Sequence, residues 1–117
     1  MNKNILINKN EIIAIIKKMK YNLELLDIEE EDIISIRYYI NDKLYDLFEV
    51  KLAYNFEEIH DDLIQELKMT LIDAILNYEK NYYVEKSNYS VSFGQDFERR
   101  RLFVLTFHFY VDLKGDE

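Results

Sequence analysis

The sequence predicts an α+β domain in which an antiparallel β-sheet packs against one long and one shorter helix. Two periodicities predict it: apolar residues recur at helical spacing in two segments and alternate with polar residues in several others. No linker, repeat or low-complexity tract divides the 117 residues, which predicts a single domain over 1–117. The expected order is α-(β)-ββ-α-ββ, with two hairpins and one short candidate strand in brackets.

The first helix is expected to begin at Asn10, a residue type that caps helix N-termini. Its apolar face would comprise Ile12, Ile13, Ile16 and Met19. Its last turn, where the helix dipole favours cations, would hold Lys17, Lys18 and Lys20. Tyr21–Leu25 alternates and is the candidate fifth strand, and the acidic run Glu29–Asp32 is expected to be an exposed connection.

The first hairpin is predicted from two alternating segments separated by turn residues. The first strand would place on one face Ile34, Ile36, Tyr38 and Ile40. After the turn at Asn41–Lys43, the second strand would run over Leu44–Tyr54. Its apolar face would carry Phe48, Val50 and Leu52, and its other face Glu49 and Lys51.

The long helix has the clearest pattern in the chain. Asn55 is a good cap, and Glu58 follows three residues later, as in a capping box. Helical spacing connects Ile59, Leu63, Leu67, Leu71, Ala74 and Tyr78, which predicts a helix that ends near Lys80.

The second hairpin closes the chain. Its first strand alternates through Tyr89, Val91 and Phe93, and its loop spans Gly94–Arg101. Its second strand would place on one apolar face Phe103, Leu105, Phe107, Phe109 and Val111. A strand that is apolar at most positions is expected to be central or covered on both faces.

Composition excludes several chemistries. The net charge of −8 disfavours a direct nucleic-acid binder, whose affinity comes largely from Lys and Arg on phosphates. There is no Cys, and two His and two Gly residues provide neither a classical zinc site nor a glycine-rich nucleotide loop. We therefore expect no cofactor and no metal. The longest apolar run is far shorter than a membrane span and no signal peptide is evident, which predicts a cytoplasmic protein without membrane partners.

Acidic residues form two dense groups. The first holds Glu29, Glu30, Glu31 and Asp32, and the second holds Glu57, Glu58, Asp61 and Asp62. Such a surface can imitate a phosphate backbone and fill a basic channel in a partner protein, since complementary charge speeds and selects docking. The sequence therefore predicts a stoichiometric protein-binding inhibitor of a nucleic-acid-handling enzyme or toxin. An anti-CRISPR-like protein from a bacteriophage or mobile element and an immunity protein both fit.

Two alternatives remain open. Glu49-Val50-Lys51 on a strand matches the Glu-x-Lys pattern of metal-dependent nucleases of the restriction-endonuclease type, with Asp42 or Asp46 and Glu11 as further candidates. The other alternative is a structural or regulatory module that forms a homodimer through its sheet edge. A secondary candidate contact is the cluster Arg99, Arg100 and Arg101, because Arg side chains suit carboxylates and phosphates.

Overall fold

The computed structural model describes residues 8–40, 46–54, 61–77, 82–95 and 101–113. Its elements are α1 (Lys9–Glu24), a 3₁₀ turn (Glu30–Asp32), β1 (Ile33–Tyr39), β2 (Asp46–Tyr54), α2 (Asp61–Leu76), β3 (Tyr82–Gln95) and β4 (Arg101–Leu113). The predicted α+β class and the order α-ββ-α-ββ are confirmed. Within these ranges, no helix is long and apolar enough to cross a membrane.

The four strands form one antiparallel sheet in the order β1-β2-β4-β3. β4 is therefore internal, as its apolar pattern predicted, and β1 and β3 are the edges. The register of the sheet defines lateral rows of residues, one of which joins Ile33, Leu52, Leu105 and Val91. Because neighbouring strands lie about 4.8 Å apart, this row crosses the sheet in roughly 14 Å.

Both helices pack on one face of the sheet. The sheet contributes to the core Phe48, Val50, Leu52, Leu105, Phe107, Phe109 and Val111, all buried. The helices contribute Ile15, Met19, Leu23, Ile64, Leu67, Leu71, Ala74 and Ile75. Strand alternation sends the intervening residues of β2 and β4 to the opposite face, where Glu49, Lys51 and His108 are only partly buried.

The start of α1 corrects the sequence prediction. Its N-cap is Asn8, whose side chain accepts a hydrogen bond from the Glu11 amide at 2.9 Å, and Asn10 lies inside the helix. The Asn8 amide group also donates to the Glu11 carboxylate at 2.8 Å. The pair Asn8 and Glu11 has the spacing of a capping box, so its two hydrogen bonds favour the earlier start.

The predicted strand at Tyr21–Leu25 is wrong, because this segment is the end of α1 and the turn after it. Leu23 is buried four residues after Met19, so helical spacing continues through the segment that also alternates. Asp27 then adopts a φ of 63°, and the Leu23 carbonyl accepts from the Ile28 amide at 3.0 Å. The last turn consequently holds no basic residue, contrary to the expectation for Lys17, Lys18 and Lys20.

β1 differs from its predicted facing pattern. A bulge between Ile33 and Ser35 shifts the register, so that Ile33 shares the core face with Ile36 and Tyr38 while Ile34 is 51% exposed. The extra residue of a bulge is not visible in simple alternation. The predicted Asn55 cap and the helical turn at Glu58 lie outside the described residues.

Candidate functional site

A groove lies between the C-terminal half of α1 and the 3₁₀ turn, with a volume of about 660 Å³. We call it the acidic groove. Its lining residues are Lys17, Lys20, Tyr21, Glu24, Ile28, Glu29, Glu30, Glu31 and Ile33. It contains three of the eight acidic residues that the sequence singled out as contacts.

Local hydrogen bonds fix the shape of the acidic run. The left-handed Asp27 ends the turn after α1, and Glu29 caps the 3₁₀ turn that follows. The Glu29 amide donates to the Asp32 carboxylate at 3.3 Å, and the Glu29 side chain accepts from the Asp32 amide in return. The expected exposed connection is thus an ordered turn, with Glu29, Glu30 and Glu31 exposed and Asp32 partly buried.

Like charges crowd this turn. A side-chain hydrogen bond with Glu31 and its charge raise the pKa of Glu29, and the charges of Asp32 and Glu24 add to the effect. The hydrogen bond with Glu31 needs a proton on one of the two carboxyl groups, and the surrounding negative charges favour that protonated form. The Lys20 ammonium does lie 3.9 Å from a Glu30 oxygen, but both side chains are largely exposed, and such ion pairs contribute little.

The bottom of the groove is apolar. Ile28 is 3% exposed and belongs to the core, and Ile33 packs against the same core. Tyr21 stands on α1 with 54% of its surface exposed, and the Lys18 ammonium lies 5.0 Å from its ring centroid. An apolar floor beneath an acidic rim suits a long aliphatic side chain that ends in a cation, such as Lys or Arg.

The second predicted acidic group is only partly described. Asp61 and Asp62 are exposed in the first turn of α2, and Glu57 and Glu58 lie outside the described residues. Because Ile33 pairs with Leu52, the start of β1 and the end of β2 share one end of the sheet. The 3₁₀ turn joins this end directly, and α2 begins seven residues after Tyr54. Asp61 and Asp62 do not line the groove itself.

The Glu-x-Lys pair lies on the sheet face opposite the helices. The Glu49 carboxylate lies 3.0 Å from His108 Nε2 and 4.0 Å from the Lys51 ammonium. The other ring nitrogen of His108 lies 3.1 Å from the Asn88 side-chain oxygen. One lateral row of the sheet thus carries Arg37, Glu49, His108 and Asn88.

The further residues of the nuclease pattern are not brought to Glu49. Asp46 is buried on the helix-covered face, where it accepts a hydrogen bond from the Tyr38 hydroxyl. Glu11 lies on the same side and accepts from the Tyr82 hydroxyl. Asp42 lies outside the described residues. Among the residues that the structure does describe, no three His, Asp or Glu side chains are grouped to hold a metal ion.

The arginine cluster is also only partly described. Arg101 is the first residue of β4 and pairs with Gln95, and Arg99 and Arg100 lie outside the described ranges.

Sequence reasoning missed two parts of the arrangement. Tyr21 and Ile28 line the groove, but the alternation of 21–25 suggested a strand and concealed their position. Spacing along the chain also gives no sign of His108 beside Glu49, 59 residues away.

Comparison with known proteins finds no family model and no curated protein that matches this chain, so its function has to be inferred from its own geometry.

Proposed function

We propose that the protein acts by binding another protein, and that the acidic groove receives a basic side chain of that partner. The observation that carries the proposal is the crowding of Glu29, Glu31 and Glu24 around an apolar floor. A side-chain hydrogen bond with Glu31 and the charges of these neighbours raise the pKa of Glu29. A Lys or Arg from a partner would relieve this repulsion and place its methylene groups on Ile28 and Ile33.

The charge of the whole chain supports the same proposal. At −8, the protein attracts basic surfaces over several ångströms and repels acidic ones. The 3₁₀ turn carries the exposed carboxylates of Glu29, Glu30 and Glu31, which concentrates negative charge at the groove. Such an arrangement favours fast, selective docking on a basic patch.

The function we propose is stoichiometric inhibition of a nucleic-acid-handling enzyme or toxin. Such proteins carry basic channels for phosphate backbones, and an acidic surface can occupy a channel of this kind. An anti-CRISPR-like protein and an immunity protein are the two settings that fit this chemistry. No comparable observation favours the nuclease alternative, because Glu49 lies on the sheet face opposite Asp46.

The proposal is tested in two steps. The tagged protein is first used to capture partners from a bacterial lysate, with elution by increasing salt. The captured protein is then purified, and its affinity is measured calorimetrically for the original chain and for the double variant Glu29→Gln, Glu31→Gln. We expect a basic partner in a one-to-one complex that the double variant weakens.

The matched control is the double variant Glu66→Gln, Asp73→Asn, which removes two exposed acids of α2 and changes the net charge equally. Equal weakening by both double variants would show that only net charge matters and would contradict a role for the groove. A partner that binds both variants as tightly as the original chain would contradict it too.

A further inference from the structure

The edge strand β3 carries a row of exposed apolar side chains. β3 is an edge strand of 14 residues with a bulge between Val84 and Lys86. Beyond the bulge, residues 87–95 contain neither a charged residue nor Pro. Natural edge strands are usually protected from pairing by charges, Pro or short length, and this segment has none of those features.

Three apolar side chains of this segment project from the same face. Tyr89, Val91 and Phe93 are 47%, 42% and 77% exposed. Register places them opposite Phe107, Leu105 and Phe103 of β4. The Phe93 and Phe103 rings lie 5.0 Å apart, so the row is supported from within the sheet while its outer side stays in solvent.

The helices cover only the first part of this face of β3. Tyr82 is buried and Val84 packs against the core, whereas the next apolar residues along the strand, from Tyr89 onward, are exposed. Within the described parts of the chain, no strand pairs with the outer edge of β3. The row therefore combines open backbone hydrogen-bonding groups with uncovered apolar surface.

We infer that β3 is a homodimer interface, at which a second copy of this chain pairs antiparallel with it around Val91. This register sets Val91 opposite the second copy's Val91 and Tyr89 opposite the second copy's Phe93. Aromatic and β-branched cross-strand pairs of this kind stabilise a sheet. The contact is isologous and closes with two copies, which gives a continuous eight-stranded sheet.

The uncharged and self-complementary sequence of this edge is the reason to assign a second copy. Two chains of −8 repel each other over most orientations, and residues 87–95 form a long uncharged edge on which they can meet. In the proposed register no like charges face each other, and on the other face Ser90 meets the second copy's Ser92. A strand that is complementary to itself needs no other partner sequence.

The expected dimer is weak. From their exposed fractions, Tyr89 and Phe93 together expose roughly 250 Å² in each copy, or roughly 500 Å² in two. A standard stable interface buries about 1,200–2,000 Å² in total, so backbone and polar contacts must supply the rest. We therefore expect a reversible dimer that forms with rising concentration.

Cross-linking tests the register directly. The chain has no Cys, so Val91→Cys introduces a single thiol at the proposed two-fold axis. Directly opposed residues have Cα atoms about 4.5–5.5 Å apart, within the range of a disulfide. We expect mild oxidation to give a covalent dimer. The matched control is Ile34→Cys, which is similarly exposed on the other edge strand. Equal cross-linking of both variants, or none of Val91→Cys, would overturn the assignment.

Sedimentation velocity provides the second test, on the unmodified chain from micromolar to millimolar concentration. We expect a monomer–dimer equilibrium that Val91→Lys abolishes, because the new charges face each other at the axis. Ile34→Lys should leave the equilibrium unchanged. A chain that stays monomeric at all concentrations, or that grows beyond a dimer, would overturn the inference. Glu29→Gln leaves this edge intact, so loss of groove binding and loss of dimerisation can be distinguished by measuring both in this variant.

Discussion

The Tyr82 hydroxyl, at the start of β3, donates a hydrogen bond to the Glu11 carboxylate in the first turn of α1. This contact joins residues 71 positions apart and connects the first helix to the second hairpin. A second long-range contact, from the Asn22 side chain to the Thr70 carbonyl at 3.2 Å, connects α1 to α2. Together they hold α1, whose C-terminal half forms one wall of the acidic groove.

Tyr82→Phe removes the hydroxyl and keeps the buried ring. Hydrogen bonds to charged groups contribute about 1.5–3 kcal/mol, so we expect the free energy of unfolding to fall by about 1–2 kcal/mol, since Glu11 can recover water. Urea denaturation at neutral pH measures the change. Tyr21→Phe is the control, because the Tyr21 hydroxyl is on an exposed side chain. Equal effects of the two substitutions would show that the Glu11 contact contributes nothing.

Two acids of β2 should differ in their effect on stability. Asp46 is buried and accepts from the Tyr38 hydroxyl, so Asp46→Ala removes the acceptor of a partly buried hydrogen bond and should cost about 1–3 kcal/mol. Glu49 lies on the open face beside His108 and Lys51, and Glu49→Ala should cost about 1 kcal/mol or less. Urea denaturation compares both. A larger loss of stability for Glu49→Ala than for Asp46→Ala would contradict this prediction, because it would show that contacts on the open face stabilise the fold more than the buried hydrogen bond does.

The strands and α2 were predictable because burial follows simple periods. β4 alternates from Phe103 to Val111, and its internal position in the sheet follows from apolar residues on both faces. α2 repeats Leu67, Leu71 and Ala74 at helical spacing, and all three are buried. Each local pattern agrees with the global fold in these elements.

The remaining features depend on contacts that spacing does not encode. Tyr21–Leu25 satisfies both periods, and burial of Leu23 in the hydrophobic core stabilises the helix over the strand. The alternation of Tyr89, Val91 and Phe93 correctly indicates that they share one face of the sheet. It does not indicate that the helices leave this part of the face uncovered. The groove combines an acidic run that was visible in the sequence with an apolar floor that only the turn at Asp27 creates.

The crowded carboxylates of the groove predict a pH effect at Glu29. Because its pKa is raised, the fold favours the protonated form, so this contribution to stability is present at acid pH and is lost as the pH rises through the raised pKa. Glu31→Gln removes the main cause and should return the pKa of Glu29 towards its ordinary value. Carboxyl-carbon NMR titration measures it. Asp73→Asn, on α2, should leave the pKa unchanged, and an unaltered Glu29 titration in Glu31→Gln would contradict the assigned cause.

The two parts of the groove should respond differently to salt once a partner is identified. Glu29→Gln removes part of the acidic rim, so its loss of affinity should be largest at low ionic strength and shrink as salt screens the charges. Tyr21→Ala removes apolar wall surface, and its loss should persist at high salt because burial of apolar area is not screened. Calorimetric titrations at two salt concentrations separate the two variants. Parallel salt dependence in both would show that the rim and the wall do not act as the proposed acidic and apolar halves of one site.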